Sequence, residues 1–240
     1  VQRNILVVGH SHTECLREPA ASLAKHGINV NILNIRQFER PKHRKAAVLP
    51  FITRAVAEPP DAVCLCLVGN RHNILGLIEH PQPFSIGDDA IGSVPDGNSD
   101  RWFIPYNLMR DDFLAHHEPA RKLTHQIYNK FKHAKRIVLN PPPPISDWEH
   151  LKKYPGVFRD KIMLGPGPNE LRLKLYRIQT SVFKEIADEN DADFIDLSGE
   201  VATEDGFLKD CYFNTDPTHG NSAYGAVAMN HILEQLGYAL

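Results

Sequence analysis

Short β-branched runs alternate along this chain with longer amphipathic segments, and no other feature constrains the fold as strongly. The apolar runs predict strands at Ile5–Val8, Asn29–Ile35, Ala62–Val68, Arg136–Leu139 and Asp193–Leu197. Between and after them, helical spacing predicts helices at Thr13–His26, Arg44–Ala57, Asp111–His133, Asn169–Glu189 and Ser222–Gly237. Such alternation indicates a parallel sheet with helices on both faces. The continuous apolar character of the runs fits strands covered on both sides. The expected architecture is therefore α/β, with a central five-stranded parallel sheet. A length of 240 residues suits one such domain over 1–240 with enlarged loops. No internal repeat or linker divides it.

Three connections break the plain alternation: residues 69–110, 140–168 and 198–215. Structureless connections of this length are uncommon and usually functional. All three leave the C-terminal ends of strands, where open α/β sheets place their ligands.

The first strand leads into "ILVVGHSHTECL", where Ser11 stands between His10 and His12. Ser11 to Glu14 matches the S-x-x-E capping box, so a helix cap is one reading. A nucleophile at a strand-to-helix turn needs the same location, where the positive helix end favours a developing alkoxide or oxyanion. The two readings are compatible, and partner residues must decide. "DPTHGNSAYG" supplies Asp216 and His219 three apart, ahead of the last helix. At that spacing a carboxylate reaches imidazole Nδ1 and leaves Nε2 free to take a proton from a hydroxyl. In "CLCLVGNRHN" the third strand ends at Gly69-Asn70, with Asn73 three residues on. An asparagine amide there can donate to a carbonyl oxygen becoming an oxyanion, although asparagine also favours such turns for conformational reasons.

Taken together, these blocks resemble the SGNH (GDSL-like) hydrolases over essentially the whole chain and in the right order. "VVGHSHTE" looks like the family's first block, "VGNRHN" its third, and "DPTHGNSAYG" its last, with "ADFIDLSGEV" as the closing strand. The resemblance implies a flavodoxin-like three-layer α/β/α sandwich. It also implies hydrolysis of carboxylic esters, often O-acetyl groups on sugars, without metal or other cofactor. Ser11 would be the nucleophile, His219 the base and Asp216 its orienting carboxylate. Ser11, Asn70 and a backbone N–H near Arg36 would form the oxyanion hole, with Asn73 the alternative to Asn70.

The chain departs from the family in three places. His10 replaces the usual aspartate of the first block, and Val68 stands where the third block begins with glycine. The oxyanion glycine of the second block is missing from "LNIRQFERP", where Arg36 or Gln37 stands. An O-acyltransferase using the same residues, or a non-catalytic carbohydrate-binding or scaffolding protein on this fold, are the alternatives. A two-metal phosphoesterase is a further alternative, because "GHSH" and "GNRHN" look like its motifs. Their order is wrong for it, however, and the aspartates that would bridge metals are missing.

Several other residues are candidates for the substrate pocket. These are His12, His72, Asn73, Trp102 and Tyr106, with Trp148 as a further aromatic that could stack on a sugar or wall an acyl group. Arg71 and Arg101 could meet a substrate anion. His116, His117 and His125, on a helix with charged neighbours, read as solvated.

Composition excludes some partners. With 27 Lys and Arg against 29 Asp and Glu, nothing draws the chain generally to nucleic acid or an anionic membrane. The basic stretch "RQFERPKHRK" reads as a solvated loop. No apolar run approaches the roughly 20 residues that span a bilayer. A small-molecule or saccharide ester is the expected partner. Cys15, Cys64, Cys66 and Cys211 form no CxxC pair, and Cys64 and Cys66 fall on one face of a strand as small buried hydrophobes. Unpaired cysteines and no visible signal peptide lean toward the cytoplasm, with a segment ahead of Val1 left open.

Overall fold

Strand β1 (Arg3–Gly9) lies inside the sheet, and its side chains are apolar on both sides. Ile5 and Val7 face one layer, and Leu6 and Val8 the other. It pairs in parallel with β2 (Ile28–Asn34) on one side and β3 (Ala62–Cys66) on the other. Strands β6 (Lys135–Leu139) and β7 (Asp193–Ile195) extend the sheet in the order β2-β1-β3-β6-β7, all parallel. Counting only these five strands, the order is 2-1-3-4-5, the flavodoxin-like arrangement. The computed structural model describes residues 3–39, 48–88 and 100–238.

One face of the sheet is covered by α1 (Arg17–Leu23) and α8 (Ser222–Gln235), through Ala20, Leu23, Tyr224, Ala228 and Ile232. The other is covered by α2 (Val48–Ala55), α4 (Tyr106–Lys130) and α6 (Asn169–Asp188), through Ile52, Ile127, Tyr128 and Phe183. Cys64 and Cys66 lie buried on the first face as small hydrophobes, with burial pushing the Cys64 thiol up to about 12.

The helix expected over Thr13–His26 is not continuous. Ser11–Leu16 is a 3₁₀ turn and α1 starts only at Arg17. Pro19 explains the break, because it has no N–H to give Cys15 O in an unbroken α-helix. That carbonyl faces Gly225 of α8 instead: a Cβ on residue 225 would stand 1.9 Å from Cys15 O. The expected helix over Arg44–Ala57 is present as α2 from Val48, and its first residues lie outside the described ones.

The three long connections are not structureless. Residues 69–110 hold α3 (Arg71–Gly76) and a two-stranded parallel pair, β4 (Phe84–Ile86) and β5 (Trp102–Ile104); residues 89–99 lie outside the described ones. Helix α4 begins at Tyr106, five residues before the expected start, because Met109 and Tyr106 pack with Phe84 and Ile86 against α6. Residues 140–168 hold α5 (Trp148–Lys153), capped by Asp147 Oδ1, and a 3₁₀ run over Gly156–Leu164. Residues 198–215 hold α7 (Ser198–Val201) and a 3₁₀ turn over Asp210–Tyr212. These pieces are too short to show a helical period in sequence.

Candidate active site

Ser11, Asp216 and His219 meet at the C-terminal end of β1. The His219 ring stands with Nδ1 2.8 Å from Asp216 Oδ1 and Nε2 2.7 Å from Ser11 Oγ. When Nδ1–H donates to the carboxylate, Nε2 is left to accept the serine hydroxyl proton. Asp216 Oδ1 also accepts the backbone N–H groups of Thr218 and His219, each at 2.9 Å. Partial burial would raise the Asp216 pKa, but the His219 ring and these two N–H groups outweigh it and bring it down to about 2.

The loop carrying the pair is itself closed. Asn214 N–H donates to His219 O at 3.1 Å. Asn221 caps α8 through Oδ1 and donates from Nδ2 to Cys211 O and Phe213 O. From α5, His150 Nε2 lies 3.1 Å from Asp216 O, a contact that nothing in the sequence pattern indicated.

The capping box is not formed. The residue capping the turn is His10, whose side chain makes no capping bond to the turn, and Glu14 binds Arg17 and Asn34. Ser11 Oγ is engaged by His219 instead.

The two histidines beside Ser11 diverge. His10 Nδ1 accepts the Val68 N–H at 3.0 Å, whereas His12 packs its ring on His219, centroids 4.5 Å apart. His12 and His72 are buried with both ring nitrogens unpartnered among the described residues. Burial holds His12 well below the usual histidine value and His72 down at about 3, so both are neutral. These rings, with Asn73 at 1 % exposure, lie beneath the surface rather than on a pocket wall.

Asn70 precedes α3, half-buried, and its Oδ1 accepts from Asn73 Nδ2 at 2.9 Å. Gly69 is packed so closely that a Cβ there would meet Pro141 at 2.8 Å and His12 at 3.0 Å. Val68 adopts φ 57°, the left-handed region that the glycine expected there would occupy freely.

The remaining candidates fall elsewhere. The Arg36 N–H donates to Asn34 Oδ1 at 3.0 Å, so the second backbone donor expected at that residue is already engaged, and its side chain is exposed. Trp102 is 72 % exposed on β5, and Tyr106 packs with the small cluster around Phe84. Trp148 packs against the α1–α8 core face. Arg71 pairs with Asp112 at 2.7 Å, and Arg101 with Glu79. His117, expected in solvent, is buried, with Nε2 3.1 Å from Val68 O and Nδ1 2.7 Å from Phe113 O. A cavity of about 760 Å³ opens between α2 and α4, lined by His10, Phe38, Val68, Pro119 and Leu123. His10, which adjoins Ser11 in sequence, is among its lining residues.

No protein-family model and no curated protein sequence matches the chain. Solved structures do. Phospholipase A1 from Streptomyces albidoflavus NA297 superposes at a TM-score of 0.53 and 12 % identity, covering 98 % of this chain and 99 % of the other. A catalytic mutant of an acetylxylan esterase from Geobacillus stearothermophilus superposes at 0.52 and 14 % identity, covering 100 % and 97 %. The chain thus shares the three-layer α/β fold of these two enzymes, at low sequence identity. No helix among the described residues is long and apolar enough to cross a membrane.

Proposed function

We propose that the chain is a serine ester hydrolase. The observation that carries this reading is the Ser11–His219–Asp216 relay, closed at 2.7 and 2.8 Å by residues 208 and 3 apart in sequence.

In this reading Ser11 Oγ attacks the ester carbonyl carbon while His219 Nε2 takes its proton. The tetrahedral oxyanion is met by the Ser11 backbone N–H and Asn70 Nδ2. As the intermediate collapses, the ester C–O bond breaks and His219 returns the proton to the departing alkoxide. Water, deprotonated by His219, then attacks the acyl-enzyme and releases the acid and free Ser11. Asp216 orients His219 and stabilises the imidazolium formed in each half. The proposed substrate is a short acyl ester, O-acetyl foremost, on a saccharide alcohol. The acetylxylan esterase among the fold neighbours supports that choice.

The test is turnover of p-nitrophenyl acetate and labelling by a fluorophosphonate, followed by a panel of acetylated sugars. Ser11→Ala abolishes turnover and labelling while the melting temperature holds. Turnover unchanged by Ser11→Ala removes Ser11 from the reaction.

A further inference from the structure

Gln179, in the middle of α6, is fully buried and far in sequence from every residue of the reaction. Its side-chain amide is used at both ends. Nε2 donates to Gly69 O at 2.7 Å, and Oε1 accepts the His72 N–H at 3.1 Å. Those two backbone groups bracket Asn70. We infer that Gln179 is the positioning residue for Asn70, fixing from outside the turn the angle at which the asparagine amide meets the oxyanion. The inference rests on the ester-hydrolase reading and extends it to a residue that touches no reacting atom.

Three further contacts show how tightly this turn is determined. Val68 holds a left-handed conformation that a β-branched residue adopts only when its surroundings impose it. His10 accepts its N–H and the His117 ring meets its carbonyl, so β1 and α4 grip the start of the turn. Asn73 fixes which way the Asn70 amide faces, by donating to Asn70 Oδ1. None of these reaches the Gly69–Asn70 peptide from the α6 side. Gln179 does, and with a rigid amide that matches one acceptor and one donor. Misplacement of a reacting group by about 1 Å costs about 10²-fold in rate. A clip of two hydrogen bonds is enough to set that distance.

The experiment compares wild type, Asn70→Ala, Gln179→Met and the double variant, by kcat and KM on p-nitrophenyl acetate and by thermal melting. Gln179→Met keeps the length and removes both hydrogen bonds. Expected is a fall in kcat of about 10²-fold with KM nearly unchanged, and no comparable further fall when the substitution is made in Asn70→Ala. An equal fall in both backgrounds, or no fall in wild type, overturns the inference.

Gln179→Glu serves if Gln179→Met does not fold. Burial keeps that carboxyl protonated, so it donates to Gly69 O and accepts from His72 N–H as the amide does. Its rate relative to wild type then stays near one at low pH and falls once the pH passes its raised pKa; a ratio that ignores pH counts against the proposal. If wild type does not turn over at all, the hydrolase reading fails and takes the inference with it; if Asn70→Ala turns over like wild type, Asn70 is not the oxyanion donor and the inference falls while the hydrolase reading stands. A slow Asn70→Ala beside an unaffected Gln179→Met removes the inference alone.

Discussion

One oxygen of Asp216 holds His219 twice, accepting the backbone N–H at 2.9 Å and facing Nδ1 at 2.8 Å. The same oxygen takes the Thr218 N–H, so loop conformation and ring orientation depend on a single acceptor atom. Asparagine can supply that acceptor as its carbonyl, without the charge. Asp216→Asn is therefore expected to preserve the loop and the imidazole tautomer, and to lose only the stabilisation of the imidazolium. Its kcat should fall by less than the roughly 10⁴-fold seen where a triad amide imposes the wrong tautomer. Asp216→Ala, which strands both N–H groups, should fall further and melt lower. Steady-state kinetics and melting curves on the two variants separate charge from orientation.

The backbone at Val68 yields a stability prediction. A β-branched residue at φ 57° costs on the order of 1–3 kcal/mol, and glycine relieves it. Glycine in turn costs roughly 0.5–1 kcal/mol in chain entropy, and the partly buried valine side chain loses some packing. Relief of the strain outweighs these two losses. Val68→Gly is expected to raise the melting temperature by about 2 °C, whereas Val68→Ile leaves the strain in place and gains nothing. Calorimetry on the pair checks the sign.

The proposed Ser11–His219–Asp216 relay was legible because each of its members lies in a dense local pattern. Asp216 and His219 share one turn, and Ser11 follows a strand whose apolar run is unmistakable. The sheet was legible for the same reason: five continuous apolar runs can only be covered strands. What the sequence hid acts across distance. Gln179 and His150 reach the site from 110 and 66 residues away, and no local spacing marks them. Arg36 misled because the availability of its N–H was decided by the side chain of Asn34, two residues back. Ser11 offered both a cap and a nucleophile, and Pro19, by breaking the helix, determined that no regular first turn exists for it to cap. His117 read as solvated because a charged helix face conceals one residue turned inward toward Val68 O.

Acid should destabilise the fold well above the range where carboxylates titrate. Burial depresses the His72 pKa to about 3 in the folded chain, against an ordinary value of about 6.5. Above pH 6.5 both states are neutral there and pH has no leverage. Between the two values the unfolded chain binds a proton that the folded chain refuses, so stability falls as pH drops. His12 acts in the same direction. The melting temperature should fall by at least about 5 °C from pH 7.5 to pH 5. His72→Phe fills the same space beside Tyr176 without a titrating group and should flatten that slope. An unchanged slope in His72→Phe assigns the acid sensitivity to other groups.

The contact between α8 and the Ser11 turn predicts how a remote methyl group can disable the site. Gly225 lies against Cys15 O, the carbonyl freed by Pro19, and a Cβ there would come within 1.9 Å of that oxygen and 2.5 Å of its carbon. Both are backbone atoms, so no rotamer change relieves the clash; helix and turn must separate. Overpacking of this kind costs typically 1–3 kcal/mol. The same displacement pulls Ser11, four residues before Cys15, from His219, which is anchored just ahead of α8. Gly225→Ala is expected to lower the melting temperature by about 2–10 °C and to slow fluorophosphonate labelling of the folded fraction by at least about 10²-fold. A variant that loses stability but labels at the wild-type rate per folded molecule would show that the hydroxyl and imidazole stay together when the helix moves.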